Sequence, residues 1–159
     1  MPAPTKHALQ AELLAQLRAD LATLERAHRA TCEGATHEEA KPENDKDTRA
    51  LEQSYLARGQ AARIDELRAS IAALSALPIL DLHAPRVVLG ALVTLEEGGE
   101  ESTLWLAPGG GGARLADRTV QVVTPASPLA RGLIGKQEGE EVELVVAGKT
   151  RTVQVVRIT

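Results

Sequence analysis

The sequence predicts an α+β protein in two parts, an N-terminal antiparallel helical hairpin of coiled-coil type over 1–78 and a small antiparallel β domain with one short helix over 79–159. Three observations carry this. Up to Leu77 apolar residues recur at alternating spacings of three and four. That pattern is broken once, at 38–47, by a stretch holding five carboxylates, Glu38, Glu39, Glu43, Asp45 and Asp47. After Pro78 the chain changes to short valine-rich runs separated by glycines, the pattern of strands and tight turns.

The first helix is expected from His7 to Cys32, with Thr5 as its cap. Leu14, Leu17, Leu21, Leu24 and His28 form its seam, and Leu9 and Leu13 widen the stripe. Gly34 offers a place to stop, and Lys41 precedes Pro42, which biases its backbone away from the helical region. Asn44, Asp45 and Asp47 can each cap a second helix. That helix runs from about Thr48 to Leu77, with Ile64, Leu67, Ile71 and Leu74 on its seam and the smaller Ala50, Ala57 and Ala61 towards the tip. Gly59 costs its helix about 1 kcal/mol against alanine, which a close helix approach would offset. The same leucine seams could pair two chains, but the acidic turn favours pairing within one chain, so a monomer is expected. Each arm is roughly 40 Å long at about 1.5 Å per residue. A two-helix hairpin encloses no cleft for catalysis but gives reach. Its acidic tip reads as a solvated, helix-capping bend, held far from the body of the protein.

Pro78 ends the second helix, and 79–86, with Pro85, is too short for a free linker. Val87 to Leu95 reads as a strand turning through Gly98-Gly99 into a second strand, Ser102 to Ala107. Val120–Val123, Val142–Val146 and Thr152–Ile158 supply three more, the last two joined by the Ala147-Gly148-Lys149 turn. The run Pro108 to Arg114 lacks the Lys and Ser or Thr of a phosphate loop and reads as a flexible loop. From Ser127 to Lys136 one helical turn is expected, capped by Ser127, opened by Pro128 and stopped by Gly135. Leu129, Leu133 and Ile134 would plug the sheet, leaving Ser127, Pro128, Arg131 and Lys136 at the surface.

Composition narrows the function. Net charge is −4 and aromatics are 1%, Tyr55 and Trp105, so no basic field steers the protein to nucleic acid and sequence-specific DNA binding is not expected. Cys32 is the single cysteine, so no intrachain disulfide forms. His28 and Cys32 share a helical face, but His37 falls beyond Gly34, and two ligands are too few for a structural zinc. The N-terminus has no apolar signal-peptide core, and no run approaches the roughly 20 apolar residues of a membrane span. A cytoplasmic protein is expected.

The stretch Ser127-Pro128-Leu129-Ala130-Arg131-Gly132-Leu133-Ile134-Gly135-Lys136, followed by the acidic turn 137–141 and a valine-rich strand, resembles the bacterial Gre factors of transcription elongation, GreA and GreB. Val88 to Thr94 and Glu43-Asn44 with Glu52-Gln53 extend the resemblance over nearly the whole chain. It implies a C-terminal domain like the FKBP prolyl isomerases that docks on RNA polymerase through Ser127, Pro128, Arg131, Gly132 and Lys136. The hairpin would enter the secondary channel, where tip carboxylates share a polymerase Mg²⁺ and act indirectly on the nascent RNA 3′ end. Candidates are Glu39, Glu43, Asp45 and Asp47; no stably bound cofactor and no catalysis by the protein itself are implied. Glu43 matches the family Glu, whereas Ala40 stands at the family Asp. A non-cleaving channel regulator is thus the alternative. An isomerase or chaperone is the remote one, because its proline pocket needs aromatic walls and only Trp105 is present here.

Overall fold

The computed structural model describes residues 2–39, 47–80 and 86–159, with backbone alone at 35–39 and at 47. Two long helices, α1 (Lys6–Glu39) and α2 (Asp47–Ala76), precede β1 (Leu92–Glu97), β2 (Glu100–Leu106), β3 (Arg114–Leu115), β4 (Val120–Val123), α3 (Pro128–Leu133), β5 (Glu141–Val146) and β6 (Lys149–Ile158). The chain divides into two compact units, Ala15–Ile71 and Met1–Leu14 with Ala72–Thr159. The division falls inside both helices, whereas the sequence period changes at Pro78.

In the helical unit α1 and α2 run antiparallel, since partner numbers fall along one helix as they rise along the other. Arg68 Nη2 donates to Glu25 Oε1 at 2.7 Å, His28 Nδ1 lies 3.3 Å from Gln60 Oε1, and Gly34 faces Gln53. The seam holds them together: Leu17, Ile64 and Leu67 are buried, and Leu21, Leu24 and Ala61 half-buried. Each fully buried leucine or isoleucine contributes about 1.5–3 kcal/mol, against no more than about 1 kcal/mol for the exposed Arg68–Glu25 pair.

Two expectations are corrected here. Helix α1 does not stop at Gly34 but continues to Glu39. Gly34 keeps a negative φ, and a glycine ends a helix only where it turns left-handed. Nor does Gly59 mark a close approach, because a Cβ there would meet nothing within 4 Å.

The sheet unit is a six-stranded sheet in the order β3-β4-β2-β1-β6-β5. All pairs are antiparallel except β2 with β4, where Thr103 to Leu106 run alongside Val120 to Val123. Purely antiparallel pairing was expected; residues 107–119 instead carry the chain back to the level of Thr103, so β4 runs the same way as β2. The strand expected from Val87 starts only at Leu92, because Gly90 takes a φ of +91° and turns the chain first. At the other hairpin Ala147 and Gly148 both have positive φ, 54° and 75°, as a tight two-residue turn between β5 and β6 requires.

One face of the sheet carries Val93, Leu95, Leu104, Leu106, Val123, Val142, Leu144, Val153, Val155 and Ile158 in a single cluster with Val87, Ala91 and Ala130 and Leu133 of α3. Strand alternation puts Trp105, Val120 and Val122 on the opposite face, all buried. The start of α1 and the end of α2 belong to this unit. Leu9, Leu13 and Leu74 are fully buried, the Glu12 carboxylate accepts the Ala116 N–H at 3.0 Å, and Gln10 Nε2 donates to the Leu74 carbonyl at 2.8 Å. The run from Pro108 to Arg114 is not a free loop. Gly112 N–H donates to the Val122 carbonyl at 2.9 Å, and a Cβ on Gly110 would lie 2.7 Å from a Leu13 methyl.

Candidate docking turn and hairpin tip

Helix α3 is only six residues long, too short to hold itself, and is built by its neighbours. Ser127 Oγ accepts the Ala130 N–H at 3.1 Å, so the expected cap is made, and Pro128 occupies the start of the helix where its missing N–H costs nothing. Ile134 N–H donates to the Ala130 carbonyl at 2.9 Å, and Gly135 then reverses the chain at a φ of +84°. Beyond it the turn is tied to the segment before β1: Gly135 N–H donates to the Val87 carbonyl at 2.8 Å and Val87 N–H to the Lys136 carbonyl at 2.9 Å. Arg86 bridges to Gln137 in the same way.

The plug differs from the expected one by one residue. Ala130 and Leu133 are buried and Leu129 packs against the core, but Ile134 is 44% exposed. The reason is local: Ile134 lies past the helix, and its extended ψ of 130° takes it off the buried face. Pro128 and Arg131 are exposed, and Ser127 and Lys136 half-buried. Gly132 has a different place from the others. A Cβ there would lie 2.3 Å from Leu144 Cδ2, so the glycine lets α3 close onto β5. Sequence reasoning missed Val88 and Leu89, which are 43% and 46% exposed beside the Val87–Lys136 link and extend an apolar surface from Ile134. Their signal was the positive-φ glycine that follows them, which rules out a continuous buried strand.

The acids after the turn are structural. Glu138 Oε1 accepts the Ile158 N–H at 2.8 Å, and Glu140 accepts the Gln137 N–H. Elsewhere Arg151 forks onto Glu97, and that hydrogen bond, joined by the guanidinium charge and opposed by slight desolvation, holds the Glu97 carboxyl below its usual range.

At the hairpin, α1 ends on Glu39 and α2 begins on Asp47, which are described by backbone alone. Ala40, Glu43, Asn44 and Asp45 lie outside the described residues, so of the expected caps Asn44 and Asp45 and of the expected oxygen ligands Glu43 and Asp45 lie there, and the side chains of Glu39 and Asp47 are not described. Of the His28, Cys32 and His37 set, His28 Nε2 and Cys32 Sγ are 3.7 Å apart, and the His37 side chain is not described. Among the described residues no group of three or more His, Cys, Asp or Glu side chains is arranged to hold a metal, and no helix is long and apolar enough to cross a membrane.

Fold and turn together define a class: an α+β protein of two long helices and a mixed six-stranded sheet, whose exposed apolar and cationic groups lie on a stitched turn beside the sheet. Residues 82–159 match the family described as transcription elongation factor, GreA/GreB, C-terminal part. That match takes in just under half of the 159 residues. It is 36% identical over 99 residues to the transcription elongation factor GreA of Magnetococcus marinus, covering 61% of this chain and 60% of that one. With GreA of Rhodopseudomonas palustris it shares 33% over 97 residues, again with 60% of each covered. The chain thus spans about 60% of the length of the curated relatives it matches. Among solved structures, the GreA factor homolog 1 of Thermus thermophilus is a distant likeness, at 21% identity and a TM-score of 0.39, with 92% of this chain and 94% of that one covered.

Proposed function

We propose that the protein is a Gre-type transcription elongation factor, an accessory protein that binds RNA polymerase through the α3 turn and brings the acidic 38–47 tip to the polymerase active site. The observation that carries this reading is the turn itself. Pro128 and Arg131 are exposed on a helix of only six residues, and Ile134 just past its end, yet the turn is capped and stitched at both ends. A rigid apolar surface flanked by a cation is what a protein partner recognises. Val88 and Leu89 add to it, and Ser127 and Lys136 lie at its edge. Gly132 contributes indirectly, by setting how closely α3 approaches β5.

At the tip, Glu39, Glu43, Asp45 and Asp47 are the carboxylates available to a Mg²⁺ that the polymerase already holds. A hard cation of this kind takes oxygen ligands and is commonly bound through one or two carboxylates with water and phosphate completing its shell. Hydrolysis of the transcript 3′ end would then be the polymerase's own reaction, with a metal-bound water as nucleophile. Ala40, at the position of the family Asp, removes a group that would orient that water. A misplacement of about 1 Å costs roughly 10²-fold. The reading is therefore a channel-entering regulator with weak cleavage stimulation.

The experiment is transcript cleavage in a stalled, backtracked elongation complex. Addition of the protein should give weak cleavage, Ala40→Asp should raise it, and Glu43→Ala should abolish it while leaving polymerase capture intact. Cleavage by Glu43→Ala equal to that of the unaltered protein makes the tip a solvated bend.

A further inference from the structure

The core-facing side of the sheet is not fully covered. Six helical residues rise about 9 Å, whereas six strands about 4.8 Å apart span roughly 24 Å. Beyond the start of α3 this mismatch leaves a cavity of about 310 Å³, within the sheet unit and near the lower limit of small-ligand sites. Its floor is Leu95, Leu104 and Val153, each no more than 4% exposed, with Leu129 at one side.

The wall is polar, and strand register puts it there. Ser102 pairs with Leu95, Gln121 with Leu104, Arg114 with Gln121 and Arg151 with Leu144, so these side chains stand on the core-facing side, at the margin where the core ends. Two guanidiniums against the Glu97 carboxylate leave the lining one positive charge in excess. Arg151 engages Glu97 through Nε and Nη2, and a guanidinium has five donors, so donors remain on Arg151 beyond that contact. The Ser102 hydroxyl and the half-buried Gln121 amide make no side-chain hydrogen bond among the described residues. No aromatic ring lines the cavity, which removes the stacking surface a nucleobase would use.

We propose that this cavity binds a small carboxylate with a short aliphatic body. The carboxylate is held by Arg114 and Arg151, the methylenes lie on Leu95, Leu129 and Val153, and further polar groups meet Ser102 and Gln121. An arginine fork matches a carboxylate in two parallel hydrogen bonds, and the apolar floor rewards carbon behind it. The site is independent of polymerase binding, though Leu129 places its occupant against the docking helix.

The test is titration of the ¹⁵N-labelled full chain with succinate, and separately with inorganic phosphate, followed by amide shifts. Saturable shifts confined to the residues lining the cavity are expected with succinate, with weaker binding of phosphate. Arg114→Gln and Gln121→Leu, each checked for unchanged thermal unfolding, should weaken succinate by about tenfold, 1.4 kcal/mol. Shifts that do not saturate, or that are equal in both variants, overturn the site. Phosphate binding as tightly as succinate overturns the assignment to an aliphatic carboxylate.

Discussion

Glycine-to-alanine substitution should have opposite signs at Gly132 and Gly59, although both sit in helices with negative φ. In an open helix the change removes unfolded-chain entropy and stabilises by about 1 kcal/mol. Gly59 meets that condition, with empty space where the methyl would go. At Gly132 the methyl would lie 2.3 Å from Cδ2 of Leu144, which is 2% exposed and must turn within a packed core. Overpacking of this kind costs about 1–3 kcal/mol, so after the helix gain Gly132→Ala should destabilise by roughly 1 kcal/mol. Thermal unfolding of each variant reads this directly, since 1 kcal/mol moves Tm by about 4–8 °C in a unit of around 100 residues. A higher Tm for Gly132→Ala would refute the close approach of α3 to β5.

Two further substitutions separate stability from docking. Ser127→Ala removes the α3 cap and should cost about 1 kcal/mol in thermal unfolding, whereas Arg131→Glu, on the exposed side, should stay within about 0.5 kcal/mol yet weaken polymerase capture. Equal capture by Arg131→Glu and the unaltered protein would remove the turn from the interface. The Arg151–Glu97 pair predicts a pH dependence. Because the folded-state pKa of Glu97 is lowered, its contribution is present above the unfolded-state pKa and is lost as pH falls through the folded-state value. Arg151→Gln should therefore lower Tm slightly at neutral pH and not at all in strong acid; a difference that persists in acid would mean that packing, not charge, is at stake.

What could be read from the sequence was local chemistry. Thr5 and Ser127 accept the N–H groups three residues on, as their hydroxyls predict, and β4 covers the expected Val120–Val123. Features set by distant partners could not be read. Gly110 looks like part of a loose glycine run, but its neighbour is Leu13, and nothing near it in sequence announces that contact. The parallel β2–β4 pairing depends on the path of 107–119, and two-residue β3 is too short for any period. Ile134 follows the apolar spacing of α3 and still faces outward, since one extended ψ after the helix outweighs the pattern. In the candidate site the 127–136 turn was legible by its cap and stop, while Val88 and Leu89 were hidden in an apparent strand.

The sheet unit draws its residues from both ends of the sequence, and this constrains the order in which the protein can be made. Glu12 meets Ala116 across 104 positions, and Leu9 and Leu13 are buried in a unit most of which is synthesised later. Residues that leave the ribosome early must wait, uncovered, for a sheet that does not yet exist. Contacts of such long range slow folding, and the waiting leucines are the apolar surface that a chaperone or an aggregate would capture. A gene fragment cut at the helix-to-strand boundary would meet the same difficulty permanently, since a 79–159 polypeptide lacks Leu9, Leu13 and Leu74 and leaves their place on the unit bare.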